Sequence, residues 1–144
     1  MSNNILIGVD GSDSSSRAMD FAATLCQETG ASLLVAYIIE WSPFTFNTPE
    51  ENEARHRRRE EELARAQAGV LDPLLAKLEK RGVEARGMVR HGKPVVALAQ
   101  IAEDEHVAQI VVGRRGESHI GGLLFGSLTG GLLQVAPVPV TVVP

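Results

Sequence analysis

The sequence predicts an α/β fold: a five-stranded, parallel, open sheet, doubly wound, with helices on both faces. Three observations carry this. Apolar runs of strand length alternate with stretches of helical periodicity from end to end, and no two consecutive runs are joined by a tight hairpin. Most runs are also too uniformly apolar for a sheet with one wet face. The 144 residues, 44% apolar and 22% charged, suffice for one sizeable core, and neither an internal repeat nor a low-complexity linker divides them. A single domain spanning residues 1–144 is expected.

The elements follow in order. "NNILIGVD" is a buried strand that ends in the turn signal Asp10-Gly11-Ser12. The serines after it lead into a helical pattern of Ala18, Met19, Ala22, Leu25 and Cys26, which Gly30 stops. "ASLLVAYII" is the second strand. "EWSPFTFNTP", with two prolines and three aromatic residues, reads as a covering loop. A long helical stretch runs from about Pro49 to Arg81, with an apolar stripe of Leu63, Val70, Leu74 and Leu78. Pro73 is incompatible with one unbroken helix, so a kink near Gly69 is expected, or a new start with Asp72 as cap. "GVEARGMVRHG" is a third, wetter strand suited to an edge. "KPVVALAQIAEDEH" is a helix with proline near its start, and "VAQIVVG" is the fourth strand. After a glycine-rich stretch come a short helix through Leu132 and Leu133 and a closing strand, "VPVTVV". Pro137 and Pro139 cannot donate to a ladder, which puts that strand at an edge, yet it is apolar on both faces and wants a partner.

Charge and cysteine content narrow the function. The formal net charge is -4 and the pI about 5.6, so no global attraction for nucleic acid or anionic lipid exists. The basic "RHRRR" is neutralised by six glutamates between residues 50 and 62 and reads as a solvated helix face. "MSNNILIG" has neither the basic segment nor the apolar core of a secretory signal, and no apolar run is long enough to span a bilayer. A cytoplasmic location without membrane insertion is expected. The lone cysteine, Cys26, sits at helical spacing from Ala22 and Thr29 and reads as a buried, inert thiol.

Residues 111–131 hold seven of the fourteen glycines, so backbone freedom is concentrated in one place. After the buried fourth strand come Gly113, Gly116, Gly126-Ser127 and Thr129. Glycine permits close backbone approach, and the amides opening the next helix form a partly positive end that favours an anion. Ser127 and Thr129 add hydroxyls, so the stretch is suited to cradling phosphate. The alternative is a packed glycine loop in which Ser127 caps the helix. A P-loop is excluded because no lysine follows Lys93, and GxGxxG is absent after the first strand, where the sequence is "GVDGSDSS". A phosphoaccepting receiver fold is disfavoured because the third strand ends in Arg90-His91-Gly92 without an aspartate.

"ILIGVDGSDSSSRA", "LLVAYII", "GRRGESHIGGLLFGS" and "APVPVTVV" together resemble, over the whole chain, the universal stress protein family in its nucleotide-binding form. The third segment fits the family pattern GxxGx9G[ST]. The resemblance implies a Rossmann-like, adenine nucleotide-binding sheet with ATP, accompanied by Mg²⁺, as ligand. Asp10 would then hold the ribose with help from Gly113, and the backbone near Ile38 would face adenine. Gly116, Gly126, Ser127 and Thr129, with Leu128 between them, would contact the phosphates, and Val9 and Val112 would line the pocket. Arg114 and Arg115 lie within the motif, and Arg115 is the candidate for the charge a P-loop takes from lysine; a solvated loop arginine is the alternative. For Asp10 the alternative is a turn or cap residue of the first helix. Two positions depart from the family pattern: Gly8, where proline is common, and Gly130-Gly131, which puts the regularity of the last helix in doubt.

Glu117 and His119 lie in the loop but read as solvated, so no catalytic residue is assigned and metal ligands are left open. The expected function is an ATP-binding regulatory module of the stress response, whose bound nucleotide orders the glycine loop and alters a surface read by an unidentified regulatory protein. The alternatives are a slow ATP-hydrolysing enzyme and an interaction protein that binds no nucleotide. The resemblance also implies a homodimer through the closing strand, residues 138–143.

Overall fold

The structure, a computed structural model, describes residues 3–9, 13–40, 49–114 and 127–144. Its elements are β1 (Asn4–Val9), α1 (Asp13–Thr29), β2 (Ser32–Ile39), α2 (Pro49–Ala66), a π-helical turn (Gln67–Leu71), α3 (Asp72–Lys80), β3 (Ala85–His91), α4 (Pro94–Asp104), β4 (Gln109–Gly113), α5 (Ser127–Val135) and β5 (Val140–Val143). The strands form one parallel sheet in the order β3-β2-β1-β4-β5. The chain winds outward from β1 to β3, then crosses back to β4 and winds the other way. The winding therefore reverses between β1 and β4, where doubly wound sheets open a crevice at the carboxyl ends of their strands.

Strand alternation sends side chains to two cores. Ile5, Ile7, Leu33, Val35 and Val111 pack with Ala18, Ala22 and Cys26 of α1 and with Leu71 and Leu78. Leu6, Leu34, Ile110 and Val112 pack with Leu98, Ile101 and Leu132 of α4 and α5. Both sheet faces are thus covered, which is why the central strands read as continuous apolar runs. Leu6, Ile7, Leu33 and Leu34 are essentially inaccessible to solvent. Each such side chain contributes about 1.5–3 kcal/mol by burial. β3 and β5 occupy the two edges, as their wetter pattern and their prolines imply.

Local signals set the helix ends. Gly30, with φ of 76°, closes α1, and its amide donates to the Cys26 carbonyl at 2.8 Å. α3 and α4 end in the same Schellman arrangement. In α3, Gly82 (φ 75°) donates to Glu79 O and Val83 to Leu78 O; in α4, His106 (φ 52°) donates to Glu103 O and Val107 to Ala102 O.

Two expectations are corrected in detail. The break at Pro73 takes the form of a π turn, in which the Asp72 amide bonds to Gln67 O; Leu71, not Asp72, is the N-cap of α3, and Pro73 sits in its first turn. Pro73 has no amide hydrogen for a continuing α-helix, and the wider turn absorbs that loss. The extra residue rotates Leu71 into the core, where it is fully buried while Val70 is only half-buried. The closing strand begins at Val140 rather than Val138, because Pro139 joins the sheet only through its carbonyl, which accepts from the Ile110 amide at 2.9 Å. The doubt over Gly130-Gly131 is answered by packing. α5 runs unbroken through both, and a Cβ on Gly131 would lie 2.7 Å from Val95 Cγ2, so glycine lets α4 and α5 approach. Gly8 has a similar reason, since a Cβ there would lie 2.7 Å from Leu98 Cδ1.

Candidate functional site

The crevice is built from strand ends. β1 pairs with β2 through Val9 and Tyr37 and with β4 through Ile7 and Val111; continuing the latter register brings Gly113 level with Val9. Ile38, one residue beyond Tyr37, completes the same rim. Val9, Ile38 and Gly113 therefore lie together at the carboxyl edge, at the point where the winding reverses. The valines point to opposite cores: Val9 packs with the α1 layer and Val112, 1% exposed, with the α4–α5 layer. Their backbone, more than their side chains, is what they offer the rim.

β4 and α5 are tied across that rim. Thr129, 2% exposed, donates from Oγ1 to the Gly113 carbonyl at 2.7 Å. The hydroxyl proton is thereby committed to the strand, leaving the amides of the first turn of α5 as the donors that the helix itself cannot satisfy. Leu128, half-buried, packs on the α4–α5 core. Beside Gly113, the Arg114 amide donates to the Val143 carbonyl at 2.8 Å and its side chain is exposed. Next to Val143, Arg17 of α1 donates from Nε to the Pro144 carbonyl at 2.9 Å, tying α1 to the end of β5.

Of the site residues expected from sequence, the structure brings together Val9, Ile38, Val112, Gly113, Leu128 and Thr129, with Ser127 opening α5. Asp10, Arg115, Gly116 and Gly126, together with Glu117, His119 and the aromatic segment 41–48, lie outside the described residues. Sequence reasoning missed one pair on the same edge. His91, at the end of β3, is only 11% exposed in its side chain, and its Nε2 lies 3.1 Å from Glu62 Oε2 of α2. These residues are 29 positions apart, and no local pattern links them. Among the described residues no group of three or more His, Cys, Asp or Glu side chains could hold a metal ion, and no helix is long and apolar enough to cross a membrane.

This edge offers apolar and backbone surface at three adjacent strand ends, and the helix end that would face an anion is held to β4 by Thr129. Comparison with known proteins agrees with that geometry. A universal stress protein of Thermus aquaticus is 35% identical over 145 residues, covering 99% of each chain. The structure of the universal stress protein UspA from Lactobacillus plantarum superposes with a TM-score of 0.83 at 23% identity, covering 98% of this chain and 97% of that one. A universal stress protein solved in complex with cAMP superposes with a TM-score of 0.64 at 25% identity, covering 98% of this chain and 95% of that one. The model of the universal stress protein family matches residues 1–144, and the chain belongs to that family.

Proposed function

We propose that this protein is an ATP-binding regulatory module of the stress response. The observation that carries the reading is the Gly113–Thr129 tie at the winding reversal, which fixes the start of α5 against the end of β4. The relative bound to cAMP supports an adenine nucleotide as the ligand class. Ribose goes to Asp10 and Gly113, adenine to the backbone at Ile38, and the phosphates to Gly116, Gly126, Ser127 and the first-turn amides of α5, with Arg115 supplying positive charge. Mg²⁺ accompanies the nucleotide through its phosphates. Bound nucleotide then holds the 113–127 stretch in one arrangement that a regulatory partner reads in the cytoplasm.

The same reading makes the protein a two-fold dimer through β5. Supporting this, β5 is a sheet edge whose residues are all only half-buried, and Leu133 and Val135 of neighbouring α5 are 48% and 58% exposed. Light scattering at micromolar concentration gives a dimer; a monomer would sink that part.

Calorimetric titration of nucleotide-free protein with ATP and Mg²⁺ tests the module. About one site per chain with micromolar affinity, lost in Gly126→Val, is the expected result. No binding would end the nucleotide reading. Steady turnover well above a Gly113→Val control would replace a module with an enzyme.

A further inference from the structure

β3 ends the sheet opposite β5, and a groove of about 490 Å³ runs along its α4 side, lined by Met88, Val96 and Ile101, with Arg90 and Lys93 toward the start of α4 and Asp104 and Glu105 toward its end. Two independent features converge there: an edge row of peptide groups outside the ladder and an apolar floor with two cations, Arg90 and Lys93, at one end.

The first follows from the ladder. Glu84 O accepts from Leu33 N at 2.9 Å and Gly92 N donates to Ile39 O at 3.0 Å, so the even-numbered peptide groups face β2. Peptide groups alternate in direction along a strand, which turns the N–H and C=O of Ala85, Gly87 and Val89 outward. Among the described residues, no backbone group outside the sheet bonds to them; the Val89 carbonyl takes the Arg90 Nη1 at 3.1 Å.

The second comes from the side chains. Met88 belongs to the α4–α5 core whereas Ala85 and Val89 belong to the other, so Arg86, Met88 and Arg90 share the groove side. Val96 on α4 is 63% exposed and forms an apolar lip. Arg86 is ion-paired with Glu105, but Arg90 and Lys93 are exposed with no carboxylate partner among the described residues.

We infer that the β3 edge and its groove bind an extended peptide in which an apolar residue alternates with acidic ones. Its backbone adds a strand to Ala85, Gly87 and the Val89 N–H, its apolar side chain covers Met88 and Val96, and a carboxylate meets Arg90 and Lys93. A second copy of the chain paired about Met88, the apolar centre of the edge, fits worse. Two β3 strands paired antiparallel about Met88 would oppose Arg86 of each to Arg90 of the other, and like charges directly opposite destabilise a pair. The inference goes beyond the nucleotide reading and does not depend on it, because the groove lies on the outer face of β3.

The test is fluorescence anisotropy of labelled Ser-Glu-Thr-Val-Thr-Glu-Ser, whose pattern reads alike in either strand direction, titrated with nucleotide-free protein. Saturable binding is expected, weakened roughly tenfold or more by the double substitution Arg90→Glu and Lys93→Glu, and restored to that variant by a peptide with lysine for glutamate. Val96→Asp, at an exposed position, should also weaken it. Unchanged thermal melting verifies that each variant is folded. No saturable binding at millimolar peptide overturns the inference, as does binding indifferent to the charge reversal. Protein self-association that peptide competes away, and that the charge reversal strengthens, would reassign the edge to a second copy.

Discussion

Thr129 Oγ1 donates to the carbonyl oxygen of Gly113 across 2.7 Å, joining α5 to the end of β4. Both partners sit in the stretch that reads from sequence as a phosphate cradle, so this bond decides what the threonine does. Thr129→Val keeps the shape but leaves the Gly113 carbonyl without its partner, and should cost about 1–2 kcal/mol in urea denaturation. Nucleotide affinity should fall with it, while Thr129→Ser retains both. A valine variant of normal stability that has lost only nucleotide binding would show that the hydroxyl serves the phosphate instead.

Gly130 and Gly131 look alike in sequence and differ in surroundings. A Cβ on Gly130 meets nothing within 4 Å, so Gly130→Ala should stabilise α5 by about 0.5–1 kcal/mol. Gly131→Ala drives its methyl against Val95 and should cost about 1–3 kcal/mol. Adding Val95→Ala should recover part of that loss, a coupling that thermal or urea melts of the four proteins would measure.

The strands were legible because a sheet covered on both faces demands uninterrupted apolar runs, and "NNILIGVD" and "ASLLVAYII" have no other good use. Edge positions were legible from proline in the closing strand and from the arginines of β3. Strand order was not, since it is set by which faces α1 and α4 cover rather than by any local pattern. Pro73 announced a break but not its form, because the π turn depends on Leu71 packing against Gly87 of β3, where an added Cβ would lie 2.9 Å from Leu71 Cδ1. At the site, the glycine spacing pointed to the end of β4, where Gly113 lies. The commitment of the Thr129 hydroxyl to a residue 16 positions earlier was invisible until β4 and α5 were placed together.

Cys26, 3% exposed in the α1 core, has its thiol pushed above the usual range by burial. The folded chain therefore keeps this proton at pH values where the unfolded chain releases it. The associated stability is fully present below the ordinary thiol value of about 8.5 and is lost as pH rises through the folded value. Urea midpoints should fall on the alkaline side, and Cys26→Ala should flatten that part of the decline. Thiol reagents at neutral pH should label Cys26 only at the rate of unfolding.

His106 holds the position in α4 that Gly82 holds in α3. Each is the left-handed residue of a Schellman ending, with φ of 52° and 75°, and each is followed by a valine whose amide reaches back into the helix. A side chain in that conformation costs about 1–2 kcal/mol relative to glycine, partly offset by the greater freedom glycine has when unfolded. His106 is exposed and has no polar partner among the described residues, so nothing in its packing returns the difference. His106→Gly should therefore raise stability by about 0.5–1 kcal/mol, seen as a higher urea midpoint with unchanged slope. Gly82→Ala, the reverse change at the matching position, should lower stability by a similar amount although its surroundings are empty. If both substitutions proved neutral, backbone strain would not be what distinguishes the two helix ends.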